Sequence, residues 1–472
     1  MDIHVNLIGR TDLTGEIYRQ LRTAILNRHL KPGEMLPATR ELALRLGVAR
    51  TTVSIAYDRL TAEGLAVSKV GSGTYVADAV PTQTAVARVG TSVLRPKLDW
   101  ETVRIPSELW RATKYDFRAG IPETGLFPSK TWRRLLSHEF RPHTDTMLYG
   151  DPAGHEALRE AIVRHVAISR GIRAHAEDVI VTSGTQQAID LIARVLLNPG
   201  DCVCVEDPGY GTPRRLLAAM GLQVHGIPVD AEGIIVESIP RRARLVYVSP
   251  SHQFPLGMSM SPSRRTALLA WASDNCGAII EDDYDSEFRF GGKPIEPLHT
   301  LDRHGRVIYV GSFSKTMFPG LRLGFVILPS SLRSAIRNAK YLADWNSPPA
   351  LQGAMARFIE AGYFARYLRR MREVYEQRHR SMIVGLNRMF RDELQIVPSS
   401  VGLHVAALAR TTSPERIEIL VKRASERGVE CTPLSLYAAA ETQLAGLVLG
   451  YGAIESDRID EGLAILRKVF DE

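Results

Sequence analysis

The chain has 472 residues, of which 45% are hydrophobic and 24% are charged, proportions typical of an ordinary globular protein with two or three domains. No apolar run is long enough to cross a membrane and no signal-peptide pattern is present, so we expect a cytoplasmic protein. Four cysteines without metal-binding or disulfide spacing argue against a zinc module or a disulfide framework. The formal net charge of +7 permits a nucleic-acid partner without identifying one.

Three short helices followed by a hairpin are predicted at the start of the chain. Apolar residues recur at helical spacing over residues 11–29, 39–47 and 49–64, with Thr39 as the expected N-cap of the second helix. Residues 65–76 read as two short strands around a Gly-Ser-Gly turn. This order predicts a winged helix-turn-helix, with a small helical packing or dimerisation module as the alternative.

The start of the third helix carries donors that suit DNA, because side chains there reach base edges and phosphates when the helix lies in the major groove. The residues expected to contact DNA are Arg40, Arg50, Thr51, Thr52, Lys69 and Ser72, the last two in the wing. The motifs Leu-Pro-Ala-Thr-Arg-Glu-Leu-Ala, Gly-Val-Ala-Arg-Thr-Thr-Val and Gly-Ser-Gly-Thr-Tyr-Val within residues 11–77 resemble the GntR-type DNA-binding domain. The resemblance implies a double-stranded DNA operator as partner.

The rest of the chain alternates helical and strand-like stretches, which predicts an α/β fold with a mostly parallel sheet. Strands are predicted at residues 179–182, 202–206, 223–227, 245–248, 278–281, 307–310 and 324–328. Ligands of such sheets bind at the carboxyl ends of the strands, and the chemically distinctive residues of this chain follow those ends.

The first two of these strand ends carry an anion-binding turn and an aromatic residue. Gly184, Thr185 and Gln186 follow a strand and open a helix, so their backbone N–H groups and the helix dipole would attract an anion, although such a turn also serves for capping alone. Tyr210 follows the next strand and is placed to stack on a flat heterocycle or simply to pack against its neighbours.

Carboxylates end the strand at residues 278–281. A buried Asp282 requires a cationic partner, such as a protonated pyridine nitrogen, and Tyr284 would donate to the ring hydroxyl. An acidic surface loop or a metal site is the alternative. A metal would usually bring further ligands nearby, and we therefore predict no metal.

The strand at residues 307–310 leads into a loop with two hydroxyls, an amine and a guanidinium, from Ser312, Ser314, Lys315 and Arg322. These groups suit a phosphate held near a reactive amine, since a lysine buried beside another cation has a lowered pKa and an accessible neutral form. Taken alone, Ser-x-x-Lys would also fit a surface loop.

The complete stretch, Ser-Phe-Ser-Lys-x-x-x-Pro-Gly-Leu-Arg-Leu-Gly, resembles the pyridoxal-phosphate lysine segment of fold-type I aminotransferases, in the version found in MocR/GabR-type regulators. The resemblance implies that Lys315 forms the Schiff base with pyridoxal 5′-phosphate, while Ser312 and Arg322 hold its phosphate. The segment that begins at Tyr149 resembles the one whose tyrosine reaches the phosphate across the subunit interface. Tyr149 of the partner subunit would then complete the site of a homodimer.

Two positions depart from the aminotransferase pattern. The ring-contacting asparagine is absent from the loop at residues 249–257, and His252 or Gln253 is our candidate for its role. Val448 occupies the place of the arginine that binds the substrate carboxylate, and valine cannot form a bidentate carboxylate contact. Either the ligand lacks that carboxylate, or another arginine, for instance Arg118, binds it.

These resemblances predict an α/β protein in which an N-terminal winged helix-turn-helix (residues 1–77) is joined by a linker (78–114) to a fold-type I pyridoxal-phosphate-dependent transferase unit (115–472). The C-terminal small α+β domain of that unit would comprise roughly residues 115–145 and 335–472. The predicted function is a transcriptional regulator that senses an amine, an amino acid, a taurine-like compound or the cofactor itself. We expect each DNA-binding domain to pack on the partner subunit. A working aminotransferase that carries an extra DNA-binding domain is the alternative.

Overall fold

The computed structural model describes residues 5, 7, 12–69, 71–78, 113–141, 148–291, 296–439 and 444–472. The chain divides into two compact units, residues 1–100 and residues 101–472. Most of the predicted linker, residues 79–112, lies outside the described residues, so its role stays a prediction. Among the described residues, no helix is long and apolar enough to cross a membrane.

The first unit contains the three helices and the hairpin that the sequence predicts. They are α1 (Leu13–Leu26), α2 (Thr39–Leu46), α3 (Arg50–Ala62), β1 (Ala66–Lys69) and β2 (Gly73–Val76). The side chain of Asp12 caps α1 by accepting a hydrogen bond from the N–H of Gly15, and Gly47 ends α2 in the left-handed conformation that favours glycine. The N-cap of α2 is Ala38, one residue before the predicted Thr39.

The core of this unit is built from the apolar stripe of each helix. Ile17, Leu21, Leu42, Val53 and Leu60 are all at most 1% exposed and belong to one cluster. Because these residues recur at helical spacing, their burial holds the three helices together. The hairpin pairs Ala66 with Val76, and both of these residues are buried against the same cluster.

The second unit alternates helices and strands. Its helices are α4 (Ser129–His138), α5 (Glu156–Arg170), α6 (Thr185–Leu196), α7 (Gly211–Ala219), α8 (Pro262–Asp274), α9 (Leu298–Leu301), α10 (Arg333–Asp344), α11 (Pro349–Glu360), α12 (Tyr363–Met389), α13 (Pro414–Glu426) and α14 (Arg458–Phe470). Its strands are β3 (Tyr115–Asp116), β4 (Val179–Thr182), β5 (Cys202–Asp207), β6 (Gln223–Asp230), β7 (Gly233–Ile234), β8 (Ala243–Val248), β9 (Ala278–Asp283), β10 (Val307–Ser312), β11 (Gly324–Ile327), β12 (Leu394–Ile396), β13 (His404–Ala409), β14 (Val429–Glu430), β15 (Thr432–Pro433) and β16 (Gly446–Gly450).

All seven predicted strands are present in one eight-stranded sheet with the order β4-β11-β10-β9-β8-β5-β6-β7. The pairs from β10 through β6 are parallel, whereas β11 runs antiparallel to both β10 and β4. The middle strands β5, β8 and β10 are almost entirely buried, as expected for a sheet covered by helices, and their sequences are largely apolar runs. This sheet brings the ends of β5, β8, β9 and β10 to one edge.

A second, four-stranded antiparallel sheet has the order β12-β13-β16-β15. Within it, Val448 of β16 pairs with Ala406 of β13 and Thr432 of β15. Val448 is fully buried and packs in a small apolar cluster with Leu256 and Leu434. Val448, which the sequence comparison places where aminotransferases carry their carboxylate-binding arginine, is therefore part of the core.

Candidate functional site

Lys315 lies in the loop that follows β10, and its side chain is half-buried. Its Nζ donates a hydrogen bond of 2.5 Å to the carbonyl oxygen of Gly120, which lies in the loop after β3. Burial lowers the pKa of Lys315, and nearby Arg322 acts in the same direction, while Asp285 and Asp282 oppose the shift. The lowered pKa makes the neutral, nucleophilic amine more accessible.

Asp282 lies near the end of β9 and is 3% exposed. Its Oδ2 accepts a hydrogen bond from the hydroxyl of Tyr247 in β8, whereas its Oδ1 has no hydrogen-bond partner among the described residues. Burial raises the pKa of Asp282 to about 7, and the donor from Tyr247 offsets part of that shift. A buried carboxylate oxygen without a donor indicates a place for a cationic or N–H-bearing ligand group.

An anion cradle lies where β4 meets α6. Gly184 is the N-cap of α6, with φ of 96°, and Thr185 begins the helix, whose N-terminal N–H groups favour an anion. The Nη2 of Arg322 donates to the carbonyl oxygen of Ser183 at 2.7 Å, which places the guanidinium beside this helix terminus. Gln186, in the first turn of α6, is exposed.

The hydroxyls of the lysine loop are close to this cradle in the sheet. Ser312 ends β10 and pairs with Gly324 in β11, which in turn pairs with Thr182 at the end of β4. The Oγ of Ser312 accepts a hydrogen bond from the N–H of Ser314 at 3.1 Å. The structure therefore brings the groups that are predicted to bind the phosphate together from the ends of three separate strands.

Three aromatic side chains line the site. Tyr210 follows β5 and Tyr284 follows β9, and each contacts the ring of Phe254 edge-on, at centroid distances of 5.8 and 6.2 Å respectively. Tyr210 is 37% exposed, and Tyr284 is half-buried. Part of the Tyr210 side chain is therefore accessible to a flat ligand.

His252 and Gln253, the two candidates for the missing asparagine, already have protein partners. The Nδ1 of His252 lies 2.9 Å from Oδ1 of Asp285. The amide of Gln253 donates to the carbonyl oxygens of Pro208 and Phe254 and accepts from the N–H of Leu256. Gln253 therefore supports two loops of the site, and His252 lies behind Tyr284.

The alternative carboxylate-binding residue, Arg118, is also paired. Its Nε and Nη2 bond to the two carboxylate oxygens of Asp116 at 2.8 and 2.6 Å. This bidentate geometry is the one that an arginine would otherwise offer to a ligand carboxylate. Arg118 would have to release the carboxylate of Asp116 before it could bind the carboxylate of a ligand.

Sequence reasoning missed three residues of the site. Tyr247 sits inside an apolar strand and looks like a core aromatic, yet its hydroxyl supports Asp282. Glu206, at the end of β5, is buried with Oε1 unpartnered among the described residues, and burial raises its pKa to about 7. Asp285 belongs to an acidic run in which the sequence does not distinguish one carboxylate from another. The position of Glu206 near the end of β5 and that of Asp285 just after β9 are the only available signal.

Tyr149 differs from the other predicted site residues in its exposure, since 81% of its surface is accessible. Its ring contacts Trp345 at a centroid distance of 4.5 Å, and Trp345 contacts Tyr341 at 5.4 Å. We call Tyr149, Tyr341, Leu342 and Trp345 the aromatic patch. All four side chains are exposed, and Trp345 has a φ of 62°, which residues other than glycine rarely adopt.

In the first unit, the predicted DNA-contacting residues lie on exposed helix starts and in the wing. Arg50 is the first residue of α3, and its Nε donates to Oγ1 of Thr39 at 3.3 Å, which joins the starts of α3 and α2. Lys69 lies over the ring of Tyr75, whose hydroxyl bonds to Ser72. Arg40, Arg50, Thr51, Lys69 and Ser72 are exposed, and Thr52 is half-buried.

Comparisons with known families and proteins agree with this two-part organisation. The family model for class I and II aminotransferases matches residues 113–440, and the model for bacterial regulatory proteins of the gntR family matches residues 13–76. The probable rhizopine catabolism regulatory protein MocR of Rhizobium meliloti is 38% identical over 464 residues, which cover 96% of this chain and 93% of that protein. The pyridoxine biosynthesis transcriptional regulator PdxR of Corynebacterium glutamicum is 30% identical over 464 residues, with 97% and 96% covered.

Among solved structures, the α-aminoadipate aminotransferase LysN of Thermus thermophilus, complexed with N-(5′-phosphopyridoxyl)-L-leucine, superposes with a TM-score of 0.70 at 28% identity. The match covers 77% of this chain and 93% of that chain. These findings confirm the fold class and the regulator function predicted from the sequence. The chain belongs to the MocR-type transcriptional regulators, in which a GntR-family helix-turn-helix domain is joined to a class I and II aminotransferase unit.

Proposed function

We propose that this regulator binds pyridoxal 5′-phosphate through Lys315 and responds to an amine effector or to the cofactor itself. The observation that carries the proposal is the unpartnered, buried Oδ1 of Asp282 in the same site as Lys315. The N–H of a protonated pyridine ring would satisfy that oxygen and neutralise the carboxylate. When bound, the cofactor supplies an electrophilic carbon that a primary amine can capture.

The residues present fit the rest of the cofactor. Its phosphate would bind at the start of α6, with N–H groups of Gly184 and Thr185, the hydroxyls of Ser312 and Ser314, and the guanidinium of Arg322. A side chain at Gly184 would begin 3.0 Å from Nη2 of Arg322, so glycine keeps the space between helix terminus and guanidinium open. Gln186 would contact the phosphate from the first turn of the helix. Tyr210 would stack on the ring, and Tyr284 would donate to its hydroxyl group.

The test of the cofactor proposal is chemical. We expect the purified protein to be yellow and to incorporate a phosphopyridoxyl group after borohydride reduction, with the label on the peptide that contains Lys315. Lys315→Ala should lose both signals, and Lys422→Ala, at an exposed lysine of α13, should retain them. A label on another lysine, or an unchanged spectrum in Lys315→Ala, would refute the assignment.

The arrangement favours a sensor over an efficient enzyme. Transamination requires the bound amine to be held with its α C–H bond aligned to the ring, and a carboxylate clamp is the strongest device for that alignment. Val448 is buried in an apolar cluster, and Arg118 is bonded to Asp116. We therefore infer that this site captures amines, with or without a carboxylate, and turns them over slowly.

Two assays separate the sensor from the alternative enzyme. Operator binding is measured by fluorescence anisotropy with and without candidate amines, taurine-like compounds and the free cofactor, and product formation is followed with amino-acid and keto-acid pairs. The sensor predicts that a ligand changes DNA affinity while turnover stays negligible. Sustained turnover at an ordinary enzyme rate of about 1 per second or more, with DNA affinity indifferent to ligand, would favour the enzyme.

We propose that the operator is read by the first unit, with the start of α3 in the major groove. Arg50, Thr51 and Thr52 would face base edges and phosphates there, Arg40 would contact the backbone beside them, and the wing would contribute Lys69 and Ser72. The hydrogen bond from Arg50 to Thr39 supports this proposal, because it gathers the starts of α2 and α3 on one exposed surface. The predicted linker, residues 78–114, would transmit the state of the sensor to this domain.

We also propose a homodimer whose interface includes the aromatic patch. Large exposed apolar patches on globular proteins commonly mark interaction surfaces, and the unusual backbone of Trp345 is of the kind that persists at functional positions. In such a dimer Tyr149 of the partner subunit would reach the phosphate site. Each DNA-binding domain would then pack on the partner subunit.

A further inference from the structure

A buried chain of hydrogen bonds connects Tyr284 to a histidine–aspartate pair. The hydroxyl of Tyr284 lies 3.0 Å from the Nδ1 of His252 and 3.0 Å from its carbonyl oxygen. The same Nδ1 lies 2.9 and 3.1 Å from the two carboxylate oxygens of Asp285. His252 and Asp285 are 2% and 1% exposed, whereas Tyr284 is half-buried and faces the site.

The geometry assigns the protons of this chain. The carboxylate of Asp285 accepts hydrogen bonds, so the proton of His252 is on Nδ1, which lies between both oxygens. The hydroxyl of Tyr284 then donates to the carbonyl oxygen of His252. The Nε2 of His252 has no hydrogen-bond partner among the described residues.

The packing around His252 holds this arrangement in place. Gly402 has a φ of 89°, and a side chain there would begin 2.1 Å from Cε1 of His252 and 2.5 Å from Oδ2 of Asp285. His404 lies against the other side, with a centroid distance of 4.7 Å between the two imidazole rings, and its Nε2 bonds to the carbonyl oxygen of Pro255 at 3.0 Å. The pair is therefore enclosed from two directions.

A metal ion does not account for these residues as well as a hydrogen-bonded chain does. Ligand atoms of His252, Asp285 and His404 lie within 4.8 Å of one another. Nδ1 of His252 is already engaged by Asp285, and His404 uses Nε2 for a backbone contact.

We propose that His252, held by Asp285, is a positioning residue that fixes the hydroxyl of Tyr284 toward the cofactor ring and thereby tunes the ionisation of the bound cofactor. This proposal rests on the cofactor proposal made above. When Tyr284 turns its proton toward the ring oxygen, its own oxygen loses no support, because Nδ1–H of His252 is 3.0 Å away and donates to it. The Nδ1–H, which Asp285 holds in place, is then shared with the tyrosine oxygen while the tyrosine proton serves the ligand.

The direction of the effect follows from charge. A donor on the ring oxygen stabilises the form in which that oxygen bears an uncompensated negative charge, which is the form with a deprotonated imine nitrogen. Loss of the donor therefore raises the midpoint of the spectroscopic pH titration of the cofactor band. A hydrogen bond to a charged group contributes about 1.5–3 kcal/mol, so we expect a rise of about 1 to 2 pH units for complete loss.

The test compares two amides that place their N–H group differently. Asparagine puts its amide nitrogen near the position of Nδ1 in histidine, and glutamine puts it near Nε2. The pH titration of the visible band is measured for wild type, His252→Asn, His252→Gln and Tyr284→Phe in the full-length protein with bound cofactor. The ionisable groups that face His252 are Asp285, Tyr284, His404 of β13 and His379 of α12, and only the varied residue differs between samples.

We expect His252→Gln to raise the midpoint in the direction of Tyr284→Phe, and His252→Asn to stay near wild type. In the double variant His252→Gln/Tyr284→Phe the two shifts should not add, because both remove the same donor. Equal midpoints for His252→Asn and His252→Gln, or additive shifts, would overturn the positioning role.

The outcomes separate this proposal from the cofactor assignment. If wild type shows the band and Tyr284→Phe moves it while the histidine variants do not, only the positioning role fails. If wild type shows no band, the cofactor proposal itself fails. Should His252→Gln not fold, His252→Ala takes its place, since the proposal requires loss of the Nδ1 donor to move the midpoint and His252→Asn to retain it.

Discussion

Replacement of Asp282 by asparagine should stabilise the cofactor-free protein and weaken cofactor binding. Asp282 is 3% exposed, and asparagine has nearly the same shape and keeps an oxygen to accept from Tyr247. Burial raises the pKa of the carboxyl from 3.8 to about 7, so the folded state binds a proton that the unfolded state releases. The charge therefore destabilises the folded protein at neutral and higher pH.

The size of the effect follows from the same shift. About three pKa units at about 1.36 kcal/mol each give roughly 4 kcal/mol as the largest stabilisation expected from removing the charge. The pH dependence of the free energy of unfolding is that of an acid whose pKa is higher in the folded state than in the unfolded state. The penalty is absent below the unfolded value of 3.8, grows as pH rises, and is complete above about 7. Cofactor binding should change oppositely, because loss of a charge-assisted hydrogen bond costs about 1.5–3 kcal/mol, or roughly 10- to 150-fold in affinity.

The assay is denaturant unfolding of the cofactor-free protein, followed by tryptophan fluorescence at about pH 8 and about pH 5, together with spectroscopic titration of the cofactor. Trp132 and Trp271 are buried in the second unit, so their emission reports its unfolding. Asp392→Asn, at an exposed aspartate of the same unit, is the control and should change neither quantity. A cofactor-free Asp282→Asn protein that is less stable than wild type at the higher pH, or that binds cofactor as tightly, would refute the reasoning.

Further substitutions test the DNA contacts, the dimer and the packing. Arg50→Ala should weaken operator binding by about 1–3 kcal/mol and relax specificity, and equal losses on operator and random DNA would make it a backbone contact. Lys69→Ala should weaken binding to all sequences alike and lower the salt slope by about 1, as electrophoretic titrations at several salt concentrations would show. Trp345→Glu should shift the protein toward monomer in analytical ultracentrifugation, and an unchanged dimer would exclude the aromatic patch from the interface. Gly402→Ala should lower the free energy of unfolding by about 1–3 kcal/mol, since its φ of 89° disfavours a side chain, whereas Gly291→Ala, whose nearest neighbour atom is 4.0 Å away, should not.

The sequence alone determined the order of elements and the identity of the family. The strands were predictable because continuous apolar runs bounded by polar turns are typical of strands buried between helices, and all seven appear in the sheet. The helices of the first unit were predictable from their apolar spacing and glycine stops, although the N-cap of α2 differs by one residue. Local patterns sufficed here because these features depend on neighbours in the chain.

The chemistry of the site was only partly visible in the sequence. Lys315, Asp282 and Arg322 stand out because each follows a strand end and carries a charge that needs a partner. The partners themselves come from elsewhere in the chain: the carbonyl of Gly120 is 195 residues from Lys315, and Tyr247 is 35 residues from Asp282. No periodicity records such long-range contacts.

Only the tertiary structure decided which polar residues support the site and which belong to the core. His252 was a candidate to contact the cofactor ring from its sequence, whereas its burial against Asp285 and its contact with the hydroxyl of Tyr284 are visible only in the folded chain. The sequence showed that Val448 replaces the expected arginine. Only the strand pairing showed that it lies in the middle of the second sheet, between β13 and β15. These distinctions depend on which surfaces meet when the two sheets pack, and that is a property of the folded chain as a whole.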